Sequence, residues 1–126
     1  MIVVDTSVWV DVLRSPSSPL AATLASLIDE DSVAVPVIVR SELLAGTTGA
    51  SRERLERNLA GLPILYPTEQ HWRRLDEWTA RTRRRGETFS LLDLMIGVLA
   101  EELGAVVWSL DTDFRRLGAL GLVQPY

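Results

Sequence analysis

MIVVDTSVWVD, residues 1–11, decides the fold. Met1 to Val4 form a short apolar run with no polar interruption. Such a run reads as a buried strand, the kind a parallel sheet needs when both its faces are covered. Asp5 ends the run. Thr6 or Ser7 is placed to cap a helix that carries Val8, Trp9, Val12 and Leu13 on one side. A strand that stops at an acid and turns into a helix is the first unit of an α/β layout.

The same alternation continues along the chain. Leu20 to Ile28 has helical spacing, and Val33 to Val35 reads as a second short strand. Pro36 suits the first turn of a helix that contains Val37, Ile38, Glu42 and Leu43. Residues 52–60 predict a helix and 63–66 a strand. Residues 69–84 predict a long helix with Trp72, Leu75 and Trp78 on its buried side. Residues 90–103 predict another, stopped by Gly104. AVVWSL, residues 105–110, is the fourth strand, and Leu122 with Val123 suggests a last edge strand. The pattern predicts one domain over residues 1–126, a three-layer α/β/α fold with a central parallel sheet of four or five strands. Ligands of such sheets bind beyond the carboxyl ends of the strands. Asp5 and Asp111 each follow a strand, Asp93 opens a helix, and Glu42 lies on a connection that leads back toward the same edge.

Composition removes most chemistries. The chain has no Cys, one His and no Lys, because all 13 basic residues are Arg. That excludes thiolate chemistry, a disulfide framework, a histidine-rich metal site and a phosphate-binding lysine. No apolar run approaches the about 18 residues of a membrane span, and the N-terminus lacks the basic segment of a signal peptide. A soluble, cytoplasmic protein is the expectation. The net charge of −4 is unusual for a nucleic-acid binder. Acids gathered around a divalent cation would reverse that sign locally.

Gathering carboxylates is costly. Two unit charges about 4 Å apart repel by about 4 kcal/mol at an effective dielectric near 20. A cluster therefore needs raised pKa values or a divalent cation. Hard cations such as Mg²⁺ take oxygen ligands, activate water and offset charge on a phosphodiester. Each acid also has a purely structural reading. Asp5 could cap a helix, Glu42 could be a solvated helix residue, and Asp93 could close a capping box with Ser90. Asp111 and Asp113 could form a turn. The joint pattern favours a site.

Four motifs carry a resemblance: VVDTSVWVD, PVIVRSELLAG, SLLDLMIGVLAEELGA and WSLDTDFRRL. In this order, over essentially the whole chain, they resemble the PIN domain family, and within it the VapC-type toxins of type II toxin–antitoxin pairs. The resemblance implies a Mg²⁺- or Mn²⁺-dependent endoribonuclease that hydrolyses RNA phosphodiesters. It implies that Asp5, Glu42, Asp93 and Asp111 are catalytic and hold one or two cations, with Asp113 a further acid of the site. Thr6 and Ser7 match small hydroxyl positions close to the metal and Ser109 a frequent Thr or Ser, all three as candidate substrate-binding residues. It also implies a cognate antitoxin that covers the acidic groove, and a homodimer. A PIN-like domain that binds RNA or a partner without cutting is the alternative.

Other features are less informative. Arg83, Arg84 and Arg85, with Arg81, form the densest basic run, suited either to RNA phosphates or to a solvated helix end. His71 reads as a surface residue at a helix start. Trp9 is the tryptophan best placed for an interface, since its helix also carries Val12 and Leu13. A haloacid-type phosphatase would need a second Asp where Ser7 stands and a downstream Lys, and a receiver domain also needs a late Lys. Neither rival fits.

Overall fold

A computed structural model describes every residue, Met1–Tyr126. The elements run β1 (Ile2–Val4), α1 (Thr6–Arg14), α2 (Pro19–Asp29), β2 (Val33–Pro36), α3 (Val37–Ala45) and α4 (Gly49–Ala60). Then follow β3 (Ile64–Leu65), α5 (Glu69–Arg84), α6 (Leu91–Leu103), β4 (Val106–Trp108) and α7 (Asp113–Ala119). The strands form one parallel sheet in the order β3-β2-β1-β4. Helix α1 packs on α2 and α3, and α3 on α4, while α6 packs on α5, on α7 and on the sheet. The result is the expected α/β/α arrangement.

The two central strands explain the apolar runs. Every residue of β1 and β2 is buried, so each needs side chains without polar groups on both faces. In register, Val4 lies opposite Trp108, and the Asp5 N–H donates to the Trp108 carbonyl at 2.9 Å. That bond aligns the ends of β1 and β4, which places Asp5 and Ser109 side by side.

Local chemistry sets the helices that matter here. Ser90 caps α6 by accepting the Asp93 N–H at 3.1 Å, and Gly104 ends it with φ 67°, a left-handed conformation that suits glycine. Asp5 itself, rather than Thr6 or Ser7, is the N-cap of α1. The tight exit from β1 leaves Asp5 as the last extended residue, with φ −72° and ψ 157°.

Other expectations are also corrected. Pro36 closes β2 and caps α3 from outside, so the helix begins at Val37. The pairing on the free edge of β4 falls at Gln124–Tyr126 and not at Leu122 and Val123: Val107 N–H donates to the Gln124 carbonyl, and Tyr126 N–H to the Val107 carbonyl. The Gly121 turn sends Leu122 into the core first. Trp72 is exposed, because its neighbours Leu75 and Trp78 occupy the inward stripe of α5. Trp9 is buried within this chain's own core, which leaves Leu13 as the exposed apolar residue of α1.

His71 is also buried, although it does stand at the helix start. Its Nδ1 accepts the Thr68 N–H at 2.8 Å, and its Nε2 faces Glu102 of α6. The side chain closes a capping box in the place usually held by Glu or Gln.

Candidate metal centre

Asp5 anchors the site. Its Oδ2 accepts from the Ser7 hydroxyl at 2.8 Å, from the Ser109 hydroxyl at 2.8 Å and from the Ser7 N–H at 3.4 Å. Both hydroxyl protons are thereby committed to Asp5. Each serine oxygen then accepts a backbone N–H from the far side: Ser7 from Leu110 at 2.9 Å, and Ser109 from Asp111 at 2.9 Å. A serine on α1 and a serine after β4 so stitch two chain segments together and aim the segment that carries Asp111. Asp5 Oδ1 makes no hydrogen bond within the chain, although the residue is buried.

Asp111 continues the relay. Its Oδ1 accepts the Asp113 N–H at 3.0 Å. This contact shapes the turn into α7 and brings Asp113 back toward the rim. Asp93 reaches the same place from the first turn of α6. Carboxylate oxygens of Asp93, Asp111 and Asp113 lie within 4.8 Å of one another. Asp113, whose role the sequence leaves open, is a member of this group.

Glu42 stands apart from the three. Its Oε1 accepts the Thr6 hydroxyl at 3.0 Å, which ties α3 to the start of α1. It reaches the same rim of the sheet, one residue along from Asp5. Arg83 and Arg84 line a cleft with Thr79, Glu87, Thr88 and Phe89. Arg84 also lines a second hollow, with Arg81, Arg85 and Leu120.

Arg116 is the site residue that sequence reading missed. Its Nη1 donates to Asp113 Oδ1 at 2.8 Å, and its Nη2 donates to Glu87 and to the Thr88 carbonyl. The i, i+3 spacing of Asp113 and Arg116 was the available signal.

The electrostatics are those of crowded acids. Burial, with the charges of Asp5, Asp111 and Asp113 added, pushes the Asp93 carboxyl up to about 6, against the opposing pull of the Ser90 hydroxyl. The folded state therefore binds more protons than the unfolded chain between about pH 4 and 6, where an ordinary Asp is already ionised. Stability falls as pH rises through that window. Without divalent cations, wild type is expected to lose thermal stability relative to Asp93→Asn between pH 4.5 and 7.5. Saturating Mg²⁺ or Mn²⁺ is expected to remove the difference. Equal pH slopes for the two proteins in thermal unfolding would show that Asp93 is not under this strain.

The PIN domain model matches residues 2–120. Ribonuclease VapC11 of Mycobacterium tuberculosis is 32% identical over 129 aligned positions, covering 98% of this chain and 96% of the relative. The VapC ribonuclease Mb1587 of Mycobacterium bovis matches equally well, at 32% over the same span. Among solved structures, FitAcB from Neisseria gonorrhoeae superposes with a TM-score of 0.76 at 25% identity, covering 100% of this chain and 96% of that one. VapBC2 from Rickettsia felis, bound to a DNA fragment from its promoter, gives a TM-score of 0.79 at 19% identity, covering 100% and 98%. At that identity the second likeness speaks for the fold alone.

Proposed function

This chain belongs to the PIN domain family, and from that premise we propose that it is the toxin of a type II toxin–antitoxin pair, a cytoplasmic endoribonuclease working as one domain over residues 1–126. The observation that carries the proposal is the meeting of Asp93, Asp111 and Asp113 within 4.8 Å beside the buried Asp5.

The donor set fits a hard divalent cation. All its ligands are carboxylate oxygens, with no Cys in the chain and the single His on another helix. That chemistry suits Mg²⁺ or Mn²⁺. Asp93, Asp111 and Asp113 would hold the ion, and Asp5 Oδ1, which no group of the chain occupies, would be a further ligand atom. When bound, it supplies Lewis acidity and offsets charge on the phosphodiester in flight.

The chain's own groups do the rest. Ser7 and Ser109 fix the Asp5 carboxylate, since both donate to the same oxygen. Thr6 holds one oxygen of Glu42 and leaves the other free to orient or deprotonate the attacking water. Arg83 and Arg84, in the cleft that Glu87, Thr88 and Phe89 also line, are placed to contact RNA phosphates. The acidic rim also suits a basic segment of a cognate antitoxin, which would block the site and keep the toxin silent. No helix is long and apolar enough to cross a membrane. A homodimer is the oligomeric state we expect.

The purified chain is expected to cleave single-stranded RNA with Mg²⁺ or Mn²⁺, to stop in EDTA and to recover when the cation is restored. Cleavage that persists unchanged in EDTA would remove the metal from the mechanism. RNA binding with no cleavage under saturating Mn²⁺ would establish the non-cutting alternative instead. Sequencing RNA ends after induced expression identifies the target.

A further inference from the structure

Arg116 touches one acid of the cluster and three groups outside it. Its Nη1 donates to Asp113 Oδ1 at 2.8 Å. Its Nη2 donates to Glu87, and to the Thr88 carbonyl at 3.3 Å. Its guanidinium lies 4.4 Å from the centre of the Phe89 ring. Residues 87–89 belong to the connection that leads into the Ser90 cap, and Asp93 sits in the first turn beyond it. Arg116 therefore ties α7, which carries Asp113, to the segment that places Asp93.

We infer that Arg116 is a positioning residue for the cation site: it occupies Asp113 Oδ1, leaves Oδ2 as the ligand atom, and sets the distance between Asp113 and Asp93. The inference rests on the reading of this cluster as a divalent-cation centre. Two roles are open to an arginine beside such a centre, and they predict opposite signs. As a bare positive charge, Arg116 would compete with the cation, and its removal would tighten binding. As a clamp, its removal would loosen two ligands and weaken binding. Glu87 decides between them. It lies against the same guanidinium, so Arg116 is already paired with a carboxylate outside the cluster and its net field at the site is small. What is left is geometry, and a planar fork stacked on a ring holds geometry well.

The test is equilibrium binding of Mn²⁺ to the full chain without RNA, by calorimetry or by loss of the free Mn²⁺ resonance signal. Outer groups that orient ligands typically contribute about 10–100-fold in metal affinity, so Arg116→Gln is expected to raise the Mn²⁺ dissociation constant by at least about tenfold. Arg116→Lys keeps the charge but cannot bridge Asp113 and Glu87 while stacking on Phe89, and it is expected to behave like Gln. In RNA cleavage, both variants should need more Mn²⁺ for half-maximal rate while KM for RNA stays near wild type. Far-ultraviolet circular dichroism checks the fold, and the Lys variant carries the test if the Gln variant does not fold. Unchanged or tighter Mn²⁺ binding by Arg116→Gln, or wild-type binding by Arg116→Lys, would overturn the inference alone. No saturable Mn²⁺ binding by wild type would overturn the cation centre, and the inference with it.

Discussion

Asp93→Asn is expected to abolish RNA cleavage while the protein stays folded. Asp93 is one of three carboxylates within 4.8 Å, and burial disfavours its ionised form. Asn keeps the shape and removes the charge. A group that merely orients a ligand contributes about 10–100-fold, so loss of a direct ligand should exceed about a hundredfold. The stability terms oppose each other. An acid in the first turn of α6 gains about 0.3–1 kcal/mol from the helix dipole, which Asn forfeits. Burial beside Asp5, Asp111 and Asp113 disfavours the ionised acid at neutral pH, and Asn removes that penalty. The midpoint of thermal unfolding should accordingly stay at or above the wild-type value in metal-free buffer. Wild-type cleavage by a preparation free of contaminating nuclease would remove Asp93 from the site. Asp5→Ala should be equally inactive, but it also removes the α1 cap and the acceptor for two serine hydroxyls, so its fold needs separate checking.

The largest effect on stability is expected at Trp78. Its side chain is fully buried where α5 packs on α6. Opposite it stands Gly97, where an added Cβ would lie 2.8 Å from the indole Cζ3 and 3.0 Å from Val123 Cγ1. The glycine is needed for close approach, since the large ring fills the space a side chain would take. Trp78→Ala should cost about 3–5 kcal/mol by leaving a cavity. Against a total stability of about 5–15 kcal/mol, that is a large share. Gly97→Val should cost about 1–3 kcal/mol by overpacking the same contact. Urea unfolding measures both. A loss below about 1 kcal/mol for Trp78→Ala would mean that α6 is held mainly by its other contacts. Because α6 also carries Asp93, the Ala variant should lose RNA cleavage at lower temperature than wild type.

Much of the fold was legible in the chain. The helix predicted over 69–84 is observed over those residues, and Ser90 and Gly104 bracket α6 as the capping pattern implied. These features depend on neighbours three or four residues away, which a sequence displays directly. Asp5 and Asp111 at strand ends were legible for the same reason. Harder to see was the face each residue presents. Trp72 shares its helix with Leu75 and Trp78 yet is exposed, and His71 is buried, with Glu102 of α6 against its Nε2.

The acids of the opening pattern were thus determined by sequence in kind and in order. Strand ends, caps and an all-carboxylate inventory restricted the chemistry before any distance was known. Which acids meet was decided by tertiary structure. Asp113 joins Asp93 and Asp111 because Asp111 turns its backbone back, and Arg116 holds it against residues 87–89. Glu42 lies outside that group, where it accepts the Thr6 hydroxyl. Separations of that kind depend on strand register and on how helices cross the sheet, and both are set by packing between residues far apart in the chain.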